Sequence, residues 1–273
     1  MTEHYFEHPL VRLHYYRFGT GKQNMLCFHG YGMHGKQFRI LEPVLGDKYT
    51  FYGFDLFFHQ ETRLHNESLD EVKRGISKQE LSELIEAFCK HETIGRFSVI
   101  GYSMGSHHAT TIVEQLPQFV NEYIVIAPSS LRPVPLIYFL STNSRGNRIF
   151  EKLMLSNNGL RRLLHLCKFL RIIDDTGHKI LYNEIGTPEL RFSFYASVTY
   201  IRHLATNEPH LIKVLNEQNI KSIFIFGKRD FMYPERIGRK LVTKLKIAKS
   251  ITLDENHDMI NHNLATTLSR TLL

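Results

Sequence analysis

From Leu10 to Phe18 apolar and polar side chains alternate until Gly19-Thr20-Gly21, a pattern that predicts one arm of an early antiparallel hairpin. The pattern then changes. Met25–Phe28 is a short apolar run, a buried strand, followed by the glycine-rich stretch His29–Gly35 and a helix-like Lys36–Leu45. Tyr49–Phe54 is aromatic-rich, strand-like and ends at Asp55. Ser77-Lys78-Gln79-Glu80 reads as a capping box, and Leu81, Leu84, Ile85 and Phe88 recur behind it at helical spacing. A second apolar run, Arg96–Ile100, leads into another helical stretch through Leu116 that Pro117 closes. Tyr123–Ala127 is a further buried strand, stopping before Pro128. This β-α-β-α-β alternation predicts an α/β fold with a mostly parallel, doubly wound sheet and helices on both faces.

Between residues 131 and 210 the alternation stops. Leu153, Leu155, Leu160, Leu163, Leu164, Leu166, Phe169 and Leu170 suggest short helices, broken at Asn157-Asn158-Gly159 and at Asp174-Asp175-Thr176-Gly177. The expectation is an inserted helical cap, 131–210, in a core made of 1–130 and 211–273. Core elements resume with a strand at Ser222–Phe226, a helix over Pro234–Leu245, a strand at Ser250–Leu253 and a terminal helix from Asp258 onward.

Composition narrows the partners. The chain has 273 residues, 42% of them hydrophobic, which suits a large globular core. Its net charge of +7 comes without a Lys/Arg block or a nucleic-acid motif, so nucleic acid is not expected. Met1–Leu13 lacks the basic start and apolar stretch of a signal peptide, and Val134–Leu140 is too short to span a bilayer. Cys27, Cys89 and Cys167 have no C-x-x-C spacing and read as free thiols, making the cytoplasm the default location. The histidines show no H-E-x-x-H or Cys/His ligand spacing, so no metal is expected.

The chemistry concentrates at Gly101-Tyr102-Ser103-Met104-Gly105, a G-x-S-x-G sequence joining a predicted strand to a predicted helix. A serine in that position sits on a sharp turn, with its hydroxyl clear of the sheet edge and the next helix presenting N–H groups, beginning with Met104, toward the same spot. A serine hydroxyl needs a base oriented by a third group. Residues just past the C-terminal ends of parallel strands meet at one edge, and Asp230 and His257 each follow a predicted strand. Asp254 and Asp258 compete with Asp230 for the role of orienter, but lie too close to His257 in sequence to aim a carboxylate back at its ring. A different chemistry is written at Gly30-x-Gly32-x-x-Gly35, which follows a strand, opens a helix and has Asp55 about twenty residues on, as a dinucleotide site would.

With these motifs the chain resembles the α/β-hydrolase superfamily over nearly all its length except the cap. The resemblance rests on the His29-Gly30 loop, the Gly101–Gly105 turn, Gly227-Lys228-Arg229-Asp230 and Asn256-His257. It implies Ser103 as nucleophile, His257 as general base and then acid, Asp230 as orienter of the imidazole, and an oxyanion hole from the N–H groups of Tyr31 and Met104. His29 and Tyr102, with the cap aromatics Tyr138, Phe139 and Phe194, are the expected substrate contacts. No cofactor is implied. The implied activity is hydrolysis of a carboxylic ester or thioester through an acyl-enzyme; the alternatives are a nucleotide-dependent oxidoreductase, a carbon–carbon bond hydrolase and a haloperoxidase-like enzyme. The sequence departs from the family at Leu56-Phe57-Phe58-His59-Gln60, bulky where glycine and proline are usual, and at Asn256, where glycine usually precedes the histidine. Residues 131–210 carry eleven Lys and Arg against six Asp and Glu, including Arg161-Arg162, an excess suited to a substrate with an anionic or carrier-linked end.

Overall fold

The computed structural model describes residues 1–156, 159 and 186–273. Nine strands form one sheet: β1 Thr2–His8, β2 Val11–Phe18, β3 Gln23–Phe28, β4 Tyr49–Phe54, β5 Arg63–Leu64, β6 Phe97–Tyr102, β7 Val120–Ile126, β8 Lys221–Gly227 and β9 Ala248–Leu253. They lie in the order β1-β2-β4-β3-β6-β7-β8-β9, with β5 paired to β2. β2 runs antiparallel to β1 and β4, whereas every pair from β4 through β9 along that order is parallel. Helices cover both faces of a parallel sheet, so its central strands are buried on both sides and read as continuous apolar runs. All six residues of β4 and all six of β6 are buried.

The predicted hairpin pairs Val11–Phe18 with the strand before it, β1, and the following glycines lead away toward β3. Lys78–His91 forms the predicted helix, with both halves of the Ser77–Glu80 capping box made. Its inner face brings Phe88 edge-on to Phe6, Tyr15, Tyr52 and Phe54, with ring centroids 4.8–5.7 Å apart.

Three expectations need correction. Lys36–Leu45 is a 3₁₀ turn, Gly35–Leu41, running into a single α turn, Glu42–Leu45. The long helix expected over Pro234–Leu245 is two short pieces, Glu235–Ile237 and Arg239–Val242, broken at Gly238, where a side chain would strike the Phe226 ring. The terminal helix begins at His262 rather than Asp258. Asn261 caps it by accepting from the amides of Asn263 and Leu264 at 3.0 and 3.2 Å, and this leaves residues 254–260 as the loop that carries His257. Helices Leu69–Arg74 and Glu208–Glu217 were not anticipated.

The chain divides into two compact units, Met1–Glu67 with Ile76–Val134 and His203–Leu273, and Ser68–Gly75 with Pro135–Arg202. The first holds the sheet. The second contains helices Leu69–Arg74, Pro135–Thr142, Ser144–Leu155 and Pro188–Tyr200. Residues 131–134 and 203–210, expected in the cap, belong to the first unit, and Ser68–Gly75, expected in the core, belongs to the second. Leu160, Leu163, Leu164, Leu166, Phe169, Leu170, the break at Asp174–Gly177 and the Arg161-Arg162 pair lie outside the described residues. Among the described residues no helix is long and apolar enough to cross a membrane. Cys27 and Cys89 are buried free thiols.

Candidate active site

Ser103 lies between β6 and helix Gly105–Gln115 with φ +49°, a left-handed conformation rare outside glycine. Backbone packing makes the two flanking glycines necessary. A Cβ on Gly101 would stand 2.7–2.8 Å from Gly105 O, Ser106 Cα and Ala109 Cβ, and one on Gly105 would stand 2.1 Å from Phe28 O. The strained residue is held from several sides. Ser103 N–H donates to Ile126 O at 2.9 Å, and its carbonyl accepts from Ser106 N, Ser106 Oγ and Ser129 Oγ at 3.0, 2.5 and 2.9 Å. Neither Ser106 nor Ser129 stands out in the sequence. Their roles are set by the fold, although Ser106 at position i+3 from a turn serine is a local signal.

Asp230 follows β8 and His257 lies in the loop after β9. His257 Nε2 is 3.1 Å from Ser103 Oγ, and His257 Nδ1 is 2.8 Å from Asp230 Oδ2. Asp230 Oδ1 accepts from the amides of Met232 and Tyr233 at 2.9 and 3.0 Å. Burial pushes this carboxyl up, but the His257 bond, the Tyr233 amide, the charge on His257 and the Met232 amide outweigh it, leaving the group below its ordinary value. The rival acids do not reach the ring. Asp254 pairs with Arg229 at 3.4 Å, and Asp258 is exposed.

Tyr102, expected to contact substrate, is tied to the histidine loop. It is buried, its hydroxyl donates to His257 O at 2.8 Å, and its ring lies 5.5 Å from the imidazole. Tyr233 flanks the imidazole as well, at 5.5 Å. Tyr102 therefore positions the histidine loop.

His29 is corrected in the same way. It is fully buried, with Nδ1 donating to Gly30 O at 2.6 Å and Nε2 accepting from Leu56 N at 3.0 Å. Nothing of it faces a substrate. His59, in the bulky stretch after β4, makes a parallel pair of bonds: Nδ1 donates to Phe57 O at 2.9 Å, and Nε2 accepts from Gly32 N at 3.1 Å. Burial depresses both imidazoles, His29 the further because His59 stands beside it, so both act as neutral bridges. Together they clamp the Gly30–Gly35 loop that carries Tyr31. Met104, the other expected oxyanion donor, is the N-cap residue of helix Gly105–Gln115.

Asp55 completes the clamp and argues against the dinucleotide reading. It is fully buried; Oδ1 accepts from Gly35 N at 2.8 Å and Oδ2 meets His14 Nδ1 at 2.6 Å. A carboxylate enclosed in this way cannot reach a ribose. At Leu56–Gln60 the backbone keeps a glycine-like course without glycine, with Phe58 at φ +62° and Gln60 at φ +47°. Tyr138, Phe139 and Phe194 belong to the second unit. Tyr138 and Phe139 are exposed there, and Phe194 packs edge-on to Phe150, centroids 6.0 Å apart. Among the described residues no three His, Cys, Asp or Glu are placed to hold a metal ion.

A mostly parallel sheet with a serine at left-handed φ between strand and helix, and an aspartate and a histidine past its last two strands, is the arrangement that the resemblance to the α/β hydrolases implies. Residues 23–146 match the family model described as alpha/beta hydrolase fold. The chain is 24% identical over 226 residues to a Bacillus subtilis (strain 168) protein named uncharacterized hydrolase YugF, covering 81% of this chain and 78% of the relative. In structure it is similar to a thermophilic esterase from Thermogutta terrifontis, with TM-score 0.70, 12% identity and 100% and 98% of the two chains covered. It is also similar to the thioesterase domain from the curacin biosynthetic pathway, with TM-score 0.64, 18% identity and the same coverage.

Proposed function

We propose that the protein is a serine hydrolase that cleaves a carboxylic ester or thioester through an acyl-enzyme. The observation that carries this reading is the unbroken path from Ser103 Oγ to His257 Nε2 at 3.1 Å and from His257 Nδ1 to Asp230 Oδ2 at 2.8 Å. In the proposed reaction Ser103 Oγ attacks the carbonyl carbon while His257 Nε2 takes its proton, and Asp230 supports the imidazolium. The N–H groups of Tyr31 and Met104 receive the negative charge that develops on the carbonyl oxygen. Losing one such donor typically costs about 10²–10³ in rate, so the loop clamp through His29, His59 and Asp55 bears on turnover. Collapse of the tetrahedral adduct expels the alcohol or thiol, protonated by His257. Water activated by the same histidine then releases the acid.

A fluorophosphonate probe tests the nucleophile. The wild type is expected to be labelled and Ser103→Ala to be neither labelled nor active, with an unchanged thermal midpoint. Normal ester turnover by Ser103→Ala sinks the assignment. Graded p-nitrophenyl esters and acyl thioesters would then rank the leaving group and acyl length.

A further inference from the structure

Within the second unit, helix Pro135–Thr142 is apolar over its first six residues, Pro-Leu-Ile-Tyr-Phe-Leu, yet only Ser141 is buried. Leu136 is 65% exposed, and Tyr138 and Phe139 are exposed as well. The next helix, Ser144–Leu155, has two distinct faces. Gly146, Asn147, Phe150 and Met154 are buried, with Asn147 bonded to Leu140 O, Thr199 Oγ1 and Tyr195 Oη at 3.3, 3.1 and 2.9 Å. That inner face is fully used. The outer face presents Arg145, Arg148 and Lys152 beside Ile149, which is 62% exposed. Among the described residues no carboxylate pairs with these three cations; Glu151, the helix's one acid, is paired with Lys73 at 2.8 Å.

Three cations without a partner among the described residues, carried on the same pair of helices as exposed leucine, isoleucine, tyrosine and phenylalanine, match the two layers of an anionic bilayer surface, charged headgroups above acyl chains. A soluble anion would use the cations and leave the apolar side chains in water. We infer that this helical hairpin docks the protein on anionic membranes, with Leu136, Tyr138, Phe139 and Ile149 entering the interface and Arg145, Arg148 and Lys152 meeting lipid phosphates. The docking does not depend on the proposed reaction.

Co-sedimentation of the full chain with vesicles tests it. Phosphatidylcholine vesicles carrying about 30 mol% phosphatidylglycerol should bind at least tenfold more tightly than pure phosphatidylcholine, and raising salt from about 0.05 to about 0.5 M should remove most of that difference. Leu136→Ser with Ile149→Ser should weaken binding about tenfold or more, and Arg145→Glu with Arg148→Glu should abolish the preference for anionic vesicles. Thermal melting checks that the variants fold, and the salt dependence of the wild type stands without them. Absence of vesicle binding, equal binding to neutral and anionic vesicles, or a dimer dispersed by the Leu136/Ile149 variant without vesicle binding would each overturn the inference.

Discussion

At the scale of single residues, Asp230 is the side chain whose two oxygens do separate jobs. Oδ2 meets the His257 ring and Oδ1 holds the amides of Met232 and Tyr233. Asp230→Asn keeps an acceptor for the turn but offers the wrong partner to Nδ1, so turnover should fall by about 10⁴ while the fold persists. Asp254→Asn, whose carboxylate pairs with Arg229, and Asp258→Asn, at an exposed position, should change kcat less than about threefold, within what an exposed charge contributes. Steady-state kinetics on one ester decides it, and an equal loss at either control would move the acid. Tyr102→Phe isolates a subtler contribution. It removes only the 2.8 Å bond to His257 O, a bond worth about 1 kcal/mol in stability. With the histidine loop loosened, kcat should drop while KM stays near its wild-type value. A change confined to KM would return Tyr102 to substrate contact.

At the scale of elements, the loop after β4 carries strain that a glycine would remove. Gln60 is exposed with φ +47°, and a non-glycine residue in left-handed backbone costs about 1–2 kcal/mol. Gln60→Gly gives back part of this to the entropy of the unfolded chain, leaving a gain of up to about 1 kcal/mol, or about 2–4 °C in Tm. A lowered Tm in scanning calorimetry would mean that the side chain, through its 3.4 Å bond to Met33 O, holds the loop more than the backbone strains it. The same loop marks where sequence reasoning stopped. β3, β4, β6, β7 and β8 were legible because strands buried on both faces read as plain apolar runs. Ser103 and Asp230 were legible as candidates because each sits just past such a run, and His257 because it follows the shorter strand β9. β1 was not, since Thr2–His8 buries only Phe6 and is defined by its pairing with β2. The clamp was hidden for a similar reason: His29 with Leu56 and His59 with Gly32 are each 27 residues apart, and a histidine's role depends on burial that no local pattern records.

At the scale of the whole molecule, the buried imidazoles set how the protein answers acid. His29, His59 and His108 are each 5% exposed or less. Burial lowers all three, His108 to about 3, with His107 and His59 adding to the effect. In the unfolded chain each would take up a proton near its ordinary value of about 6.5, whereas in the folded protein each does so at lower pH, His108 at about 3. The unfolded state therefore binds more protons throughout that window, so stability present above pH 6.5 is lost as pH falls toward the folded values. A group contributes up to about 1.4 kcal/mol for each pH unit between its two values, so His108 alone removes a few kcal/mol as pH falls from about 6.5 toward about 3, and His29 and His59 add in the same direction. That is a large fraction of an ordinary folding free energy of about 5–15 kcal/mol. Urea unfolding at a series of pH values should show the midpoint falling below pH 6.5, with His108→Phe, which can keep the stacking on Phe28 at 5.7 Å, flattening the slope measurably. Because His29 and His59 clamp the loop bearing Tyr31, ester turnover should fall with the same midpoint. A protein equally stable at pH 7 and pH 5 would show that these rings take up protons in the folded state, which would break their bonds to Leu56 N and Gly32 N.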